Sequence, residues 1–147
     1  MRSRWSTVTA ATLAALIICA IVATARSADA PAEEWKAPAR AARKKNPIPA
    51  EATSIARGQE VYVKECASCH GDNGKGDGKA AVDLNPKPRD LRDPKIWEQT
   101  DGSMFWKLTE GRKPMPTYEK TLSEDDRWNV INYIHKFAPN SGGAAQR

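Results

Sequence analysis

The sequence predicts an all-α domain. Three stretches place apolar residues at helical spacing, start and stop signals bracket two of them, and no alternating strand pattern of any length interrupts them. The first stretch runs from about Ser54 to Cys66, with Ile55, Val61, Tyr62 and Glu65 at helical spacing and Gly58 in its middle. A mid-helix glycine costs roughly 1 kcal/mol relative to alanine, so its presence predicts a close helix crossing. The second runs from Gly102 to Glu110, with Asp101 as the expected N-cap and Gly111 as the stop. The third runs from Glu124 to Phe137. Ser123 caps it, Glu124, Asp125 and Asp126 suit the positive end of the helix dipole, and Pro139 follows its end. Its apolar stripe is Trp128, Val130, Ile131, Tyr133, Ile134 and Phe137. No internal repeat is present.

The chain has 147 residues, enough for one small domain with accessory segments. Arg2 and Arg4 precede an uncharged run from Trp5 to Ala25, and Ala28-Asp29-Ala30 offers a small-x-small cleavage site. Residues 1–30 therefore read as a secretory signal, with an uncleaved anchor over residues 5–25 as the alternative. Residues 31–52, rich in Ala, Pro and Lys, read as a linker whose basic knot Arg40, Arg43, Lys44 and Lys45 is a solvated tether. The folded domain is expected over residues 53–138, and 139–147 as a flexible tail. Between the first two helices, Gly71 to Pro94 reads as loop, with at most a helical turn near Lys79 to Leu84.

The formal charge is +5, and the first thirty residues carry a net +2 of it, leaving +3 for the exported form. That charge is too low for a phosphate-binding footprint, and its basic patches lack interleaved aromatics. Nothing in the sequence implies nucleic acid as a partner.

A domain of this size buries little apolar surface by itself and usually needs a staple. Residues 66–70 read Cys-Ala-Ser-Cys-His, the spacing of covalent haem attachment. Two thiols about one helical turn apart reach the two vinyl groups on one porphyrin edge, and the next residue, His70, stands where the proximal iron ligand is needed. The competing readings fare worse. A zinc knuckle needs four ligands, and outside the leader only His135 remains to join Cys66, Cys69 and His70. A thiol exchange pair needs a βαβ context, and a structural disulfide leaves His70 without a role.

For the sixth ligand the candidates are Met115, Met104 and His135. Met115 lies in Lys113-Pro114-Met115-Pro116, where flanking prolines fix an extended loop able to hold a thioether against iron. Met104 sits beside Phe105 on the second helix, where methionine is more often core filler. His135 near a helix end reads as a surface histidine. Arg89, Arg92, Trp97, Trp106 and Arg112 could reach haem propionates, or equally be surface charges and packing aromatics.

The run Cys66-Ala-Ser-Cys-His-Gly-Asp-Asn-Gly-Lys-Gly-Asp-Gly78, followed by Leu84 to Leu91, Asp101 to Arg112, Met115-Pro116 and Leu122 to Trp128, resembles the class I c-type cytochromes, especially small bacterial monohaem domains. The resemblance spans residues 55–138. It implies the cytochrome c fold, with three main helices wrapped around one covalently attached haem c and the first and last helices crossing near Gly58 and Tyr133. It also implies Cys66 and Cys69 as attachment points, with His70 and Met115 as iron ligands. One departure stands out: Lys79 replaces the proline that often follows Gly-Asp-Gly, leaving open which backbone carbonyl orients His70.

The expected function is single-electron transfer in the periplasm between redox protein partners, without turnover of a substrate. Two alternatives compete with a free carrier. One is a haem c subunit of a larger membrane-associated respiratory complex, a dehydrogenase or terminal oxidase. The other is a catalytic or gas-binding haem with an open sixth position.

Overall fold

The computed structural model describes residues 34–139, and the chain divides into two compact units, residues 1–35 and 36–147. The signal or anchor read over residues 1–30, and the tail after Pro139, lie outside the described residues. Among those described, no helix is long and apolar enough to cross a membrane.

The second unit is helical. In chain order it comprises α1 (Ala39–Ala42), α2 (Ala52–Val61), a π-helical stretch Tyr62–Cys66, α3 (Ala67–His70), α4 (Asp101–Glu110), α5 (Glu124–Ile134) and a closing 3-10 turn His135–Phe137. Shorter 3-10 turns at Lys79–Ala81 and Pro94–Glu98 punctuate the long connection between α3 and α4. The only β-pairing among the described residues is an isolated antiparallel bridge between Arg112 and Met115.

The most extensive helix contact is that of α2 with α5, and glycine makes it possible. A Cβ on Gly58 would collide with the Asn129 carbonyl and lie 2.8 Å from Tyr133 Cβ. The backbone of α5 therefore occupies the space a side chain would need. Ser54 Oγ donates to Asn129 Oδ1 at 2.7 Å, and Asn132 Nδ2 donates to Ser54 Oγ at 2.8 Å, so the polar groups buried at the crossing satisfy one another.

Two apolar clusters flank α5. Val61, Tyr62, Cys66, Val130, Tyr133 and Phe137 form one, and Met104, Phe105, Trp128 and Ile131 the other. Trp128 and Ile131 are 0% exposed. Burying one such side chain contributes roughly 1.5–3 kcal/mol. Ser123 caps α5 as its sequence announces, accepting from the Asp126 amide at 3.0 Å.

Two expectations need correction. The cap of α4 is Thr100, whose side chain accepts from the Ser103 amide, while Asp101 is the first helical residue. The larger correction concerns the tether. Residues 38–48 lie against the domain as a strap. Thr100 Oγ1 donates to the Ala42 carbonyl at 2.7 Å, Asn46 Nδ2 donates to Asn132 Oδ1 at 2.8 Å, and Ile48 packs on the Trp128 cluster. Lys44 Nζ lies 2.6 Å from Glu124 Oε1 and 4.3 Å from the centre of the Phe105 ring. A Cβ on Gly102 would strike the carbonyls of Ala41 and Lys44. The prolines that suggested a linker prevent a long helix there without preventing docking.

Candidate functional site

The α2 helix delivers its C-terminal end to the Cys66–His70 segment through the π-helical stretch, which widens the spiral just before the first cysteine. Tyr118 Oη donates to the Glu65 carbonyl at 2.8 Å, and Tyr62 Oη to the Gly71 carbonyl at 2.7 Å. Both tyrosines are buried, and burial raises both phenols well above their ordinary value, so each stays a hydroxyl donor.

After His70 the chain must fold back at once. Gly71, Gly74 and Gly76 take φ of 75°, 70° and 75°, a left-handed region that other residues rarely adopt. The turn lets the Gly76 and Gly78 amides donate to the carbonyls of His70 and Cys69 at 2.8 and 3.1 Å. This glycine pattern thus closes the end of α3 on itself and holds Cys66, Cys69 and His70 in one short segment.

Both cysteines are free thiols, Cys66 buried and Cys69 partly exposed. Burial, and secondarily the charges of Glu65 and Cys69, push the Cys66 thiol up to about 12. Exchange cysteines are tuned the opposite way. Among the described residues no three His, Cys, Asp or Glu side chains gather where they could share a metal ion, so the zinc reading has no ligand set.

His70 is largely buried, which lowers its pKa, and the Arg89 backbone partly offsets this. It is therefore a neutral imidazole, the form that ligates metals. Its Nδ1 is fully buried without a hydrogen bond of ordinary geometry. The polar group acting on the ring is the Arg89 backbone in Pro86-Lys87-Pro88-Arg89, remote in sequence from Lys79.

Met115 is half-buried, in a turn rather than the extended loop expected. The Arg112 amide donates to the Met115 carbonyl at 3.0 Å and the Met115 amide returns to the Arg112 carbonyl at 2.9 Å. Three residues later Tyr118 reaches Glu65, beside Cys66, so the Met115 turn is tied to the cysteine segment. The two rivals are engaged elsewhere. Met104 is 6% exposed within the Trp128 cluster, and His135 Nε2 lies 2.9 Å from Asp101 Oδ1 with its ring against Trp97.

Several side chains considered for propionate contacts already have partners. Arg89 pairs with Asp93, Arg92 with Asp90, and Trp97 Nε1 donates to the Leu91 carbonyl at 2.8 Å. The contribution of Tyr118 was not anticipated from sequence. Its only signal there is an aromatic residue shortly after the Met-Pro pair.

These residues suit a covalently held haem: two unpaired thiols one turn apart, an imidazole that burial keeps neutral, and a thioether on a pinned turn.

A family model described as "Cytochrome C oxidase, cbb3-type, subunit III" matches residues 53–134. Among curated proteins, the Cbb3-type cytochrome c oxidase subunit CcoP of an Azospirillum species is 30% identical over 95 residues, covering 64% of this chain and 31% of that protein. The cytochrome bc1 complex cytochrome c subunit of Corynebacterium diphtheriae is 29% identical over 96 residues, covering 60% and 30%. The chain thus spans about a third of the length of these relatives. Among solved structures, a chain of the reducing HAO-like protein complex of Kuenenia stuttgartiensis aligns with a TM-score of 0.55 at 28% identity, over 63% of this chain and 47% of that one.

Proposed function

Because the chain belongs to the cytochrome c family described as cbb3-type cytochrome c oxidase subunit III, we propose that it is a haem c electron carrier with Cys66 and Cys69 as attachment points and His70 and Met115 as axial ligands. The observation that carries the reading is the segment Cys66–His70 itself. Two free thiols and a neutral imidazole are fixed within five residues by the glycine turn.

Each residue has a separate task. Cys66 and Cys69 anchor the porphyrin edge as thioethers. The ring of His70 is oriented by the backbone at Arg89 and offers its other nitrogen to the metal. Met115 would offer its thioether to the iron, which would exclude small ligands and raise the reduction potential. Tyr118 and the Arg112–Met115 turn would hold that thioether in place. When bound, the haem supplies a one-electron iron couple, and the protein supplies ligands, burial and exclusion of water. The chain itself turns over no substrate.

Met115→Ala tests the ligand set. The oxidised wild-type protein is expected to show the weak far-red band of Met ligation and, once reduced, to resist carbon monoxide at neutral pH. The variant is expected to lose the band and bind carbon monoxide. A wild type that binds carbon monoxide freely would place this protein with the gas-binding or catalytic haems instead.

Export to the periplasm, by cleavage of residues 1–30 or with residues 5–25 as an anchor, belongs to the same proposal. So does the choice between a free carrier and a fixed subunit. The subunit reading is favoured by the relatives, both named as subunits and both about three times longer than the matched stretch. Migration of the native protein on sizing, with or without companions, decides between them.

A further inference from the structure

The strap over residues 38–48 presents a cluster of positive charge that the electron-transfer reading does not use. Residues 36–50 carry Lys36, Arg40, Arg43, Lys44 and Lys45 and no acidic residue. Among the described residues, every other arginine has a partner: Arg57 with Asp126 and Glu60, Arg89 with Asp93, Arg92 with Asp90, Arg127 with Thr109, and Arg112 with a further group. Arg40 and Arg43 are exposed and have none. They are not loose, however. The strap bearing them is fixed at Thr100, Glu124, Asn132 and the close approach to Gly102. Two guanidinium groups are thus anchored to a fixed base without a counter-charge among the described residues.

Between strap and α4 runs an open groove of about 570 Å³, lined by Pro38, Arg40, Ala41, Arg43, Lys44 and Trp106. Its arginines and indole are the residue types that dominate binding energy at protein interfaces. A guanidinium pairs best with a carboxylate, through two parallel hydrogen bonds, and the indole gives a flat surface for the aliphatic part of the same segment. We propose that this groove docks an acidic peptide segment of a protein partner, its carboxylates on Arg40 and Arg43 and its aliphatic carbons against Trp106. A membrane surface fits less well. The strap has no large apolar side chain before Ile48 to insert, the exposed large hydrophobics among the described residues are Val63 and Val82 on other segments, and the indole lines a recess.

The test uses the haem-loaded protein and a capped hexapeptide of alternating Glu and Asp, with binding followed by fluorescence anisotropy at low and at physiological salt. Arg40→Glu/Arg43→Glu is expected to weaken binding about tenfold or more. Lys87→Glu/Lys120→Glu, the same charge change at exposed lysines elsewhere, is expected to change it less than about twofold at physiological salt, where distant charges are screened. Trp106→Ala, with folding verified by its thermal melt, is expected to weaken the peptide while preserving its salt dependence. Equal loss in the two charge-reversal variants would reduce the effect to net charge and overturn the proposal. Failure of the peptide to bind would also overturn it, and if vesicles containing phosphatidylglycerol instead capture the wild type but not Arg40→Glu/Arg43→Glu, the surface is a lipid site. None of these readouts depends on the identity of the sixth ligand.

Discussion

Tyr118 shows how one hydroxyl can link two sequence-distant parts of a site. It is 7% exposed, donates to the Glu65 carbonyl, and follows the Met115 turn by three residues. Tyr118→Phe removes the donor and leaves that carbonyl without this partner, at an expected cost of about 1–3 kcal/mol, read as a lower thermal midpoint. A role confined to stability would end there. The account further expects the far-red Met band of the variant to be lost at lower pH or lower imidazole concentration than in wild type. At this scale the proposed roles of Cys66, Cys69 and His70 come from the sequence, because covalent attachment demands a fixed local spacing. Tyr118 and the Asp101–His135 pair were not, since each depends on which residues the fold brings together over 53 and 34 positions.

The helices were legible for a related reason. Apolar periodicity and caps are local, and Ser123, Gly111 and the stripe from Trp128 to Phe137 announce their elements directly. The exchange of Asp101 for Thr100 as cap is the usual uncertainty of one residue at a helix end. Gly58 gives the element scale a test whose sign is informative. In an exposed helix Gly→Ala stabilises by roughly 1 kcal/mol. Here the new methyl meets the Asn129 carbonyl and Tyr133, so Gly58→Ala is expected to destabilise by about 2–3 kcal/mol, measured by chemical denaturation. The strap was missed because proline and charge are local signs of irregular backbone, whereas its docking depends on a missing side chain at Gly102 and on Glu124 and Asn132, 80 and 86 positions from their partners.

For the molecule as a whole, charge pairs join the N-terminal half to α5. Arg57 holds the Asp126 carboxyl below the ordinary carboxylate value near 3.8, chiefly through its side-chain hydrogen bonds. A depressed folded-state pKa gives stability that is complete above the unfolded value and disappears as pH falls through the folded one. The thermal midpoint is therefore expected to drop below about pH 4, with a shallower drop for Asp126→Asn. The sequence carried the fold class and the cofactor at this scale because a short helical domain with an attachment motif has few other solutions. It did not carry the way residues 38–48 complete the structure. All of it rests on a porphyrin bonded to this chain, and mass spectrometry of the peptide spanning residues 66–70, after acid–acetone extraction of the purified protein, tests that directly. The account predicts that the pigment stays with the protein and that this peptide carries the haem mass on both cysteines. Pigment released into the acetone, or a peptide with two free thiols, would contradict it.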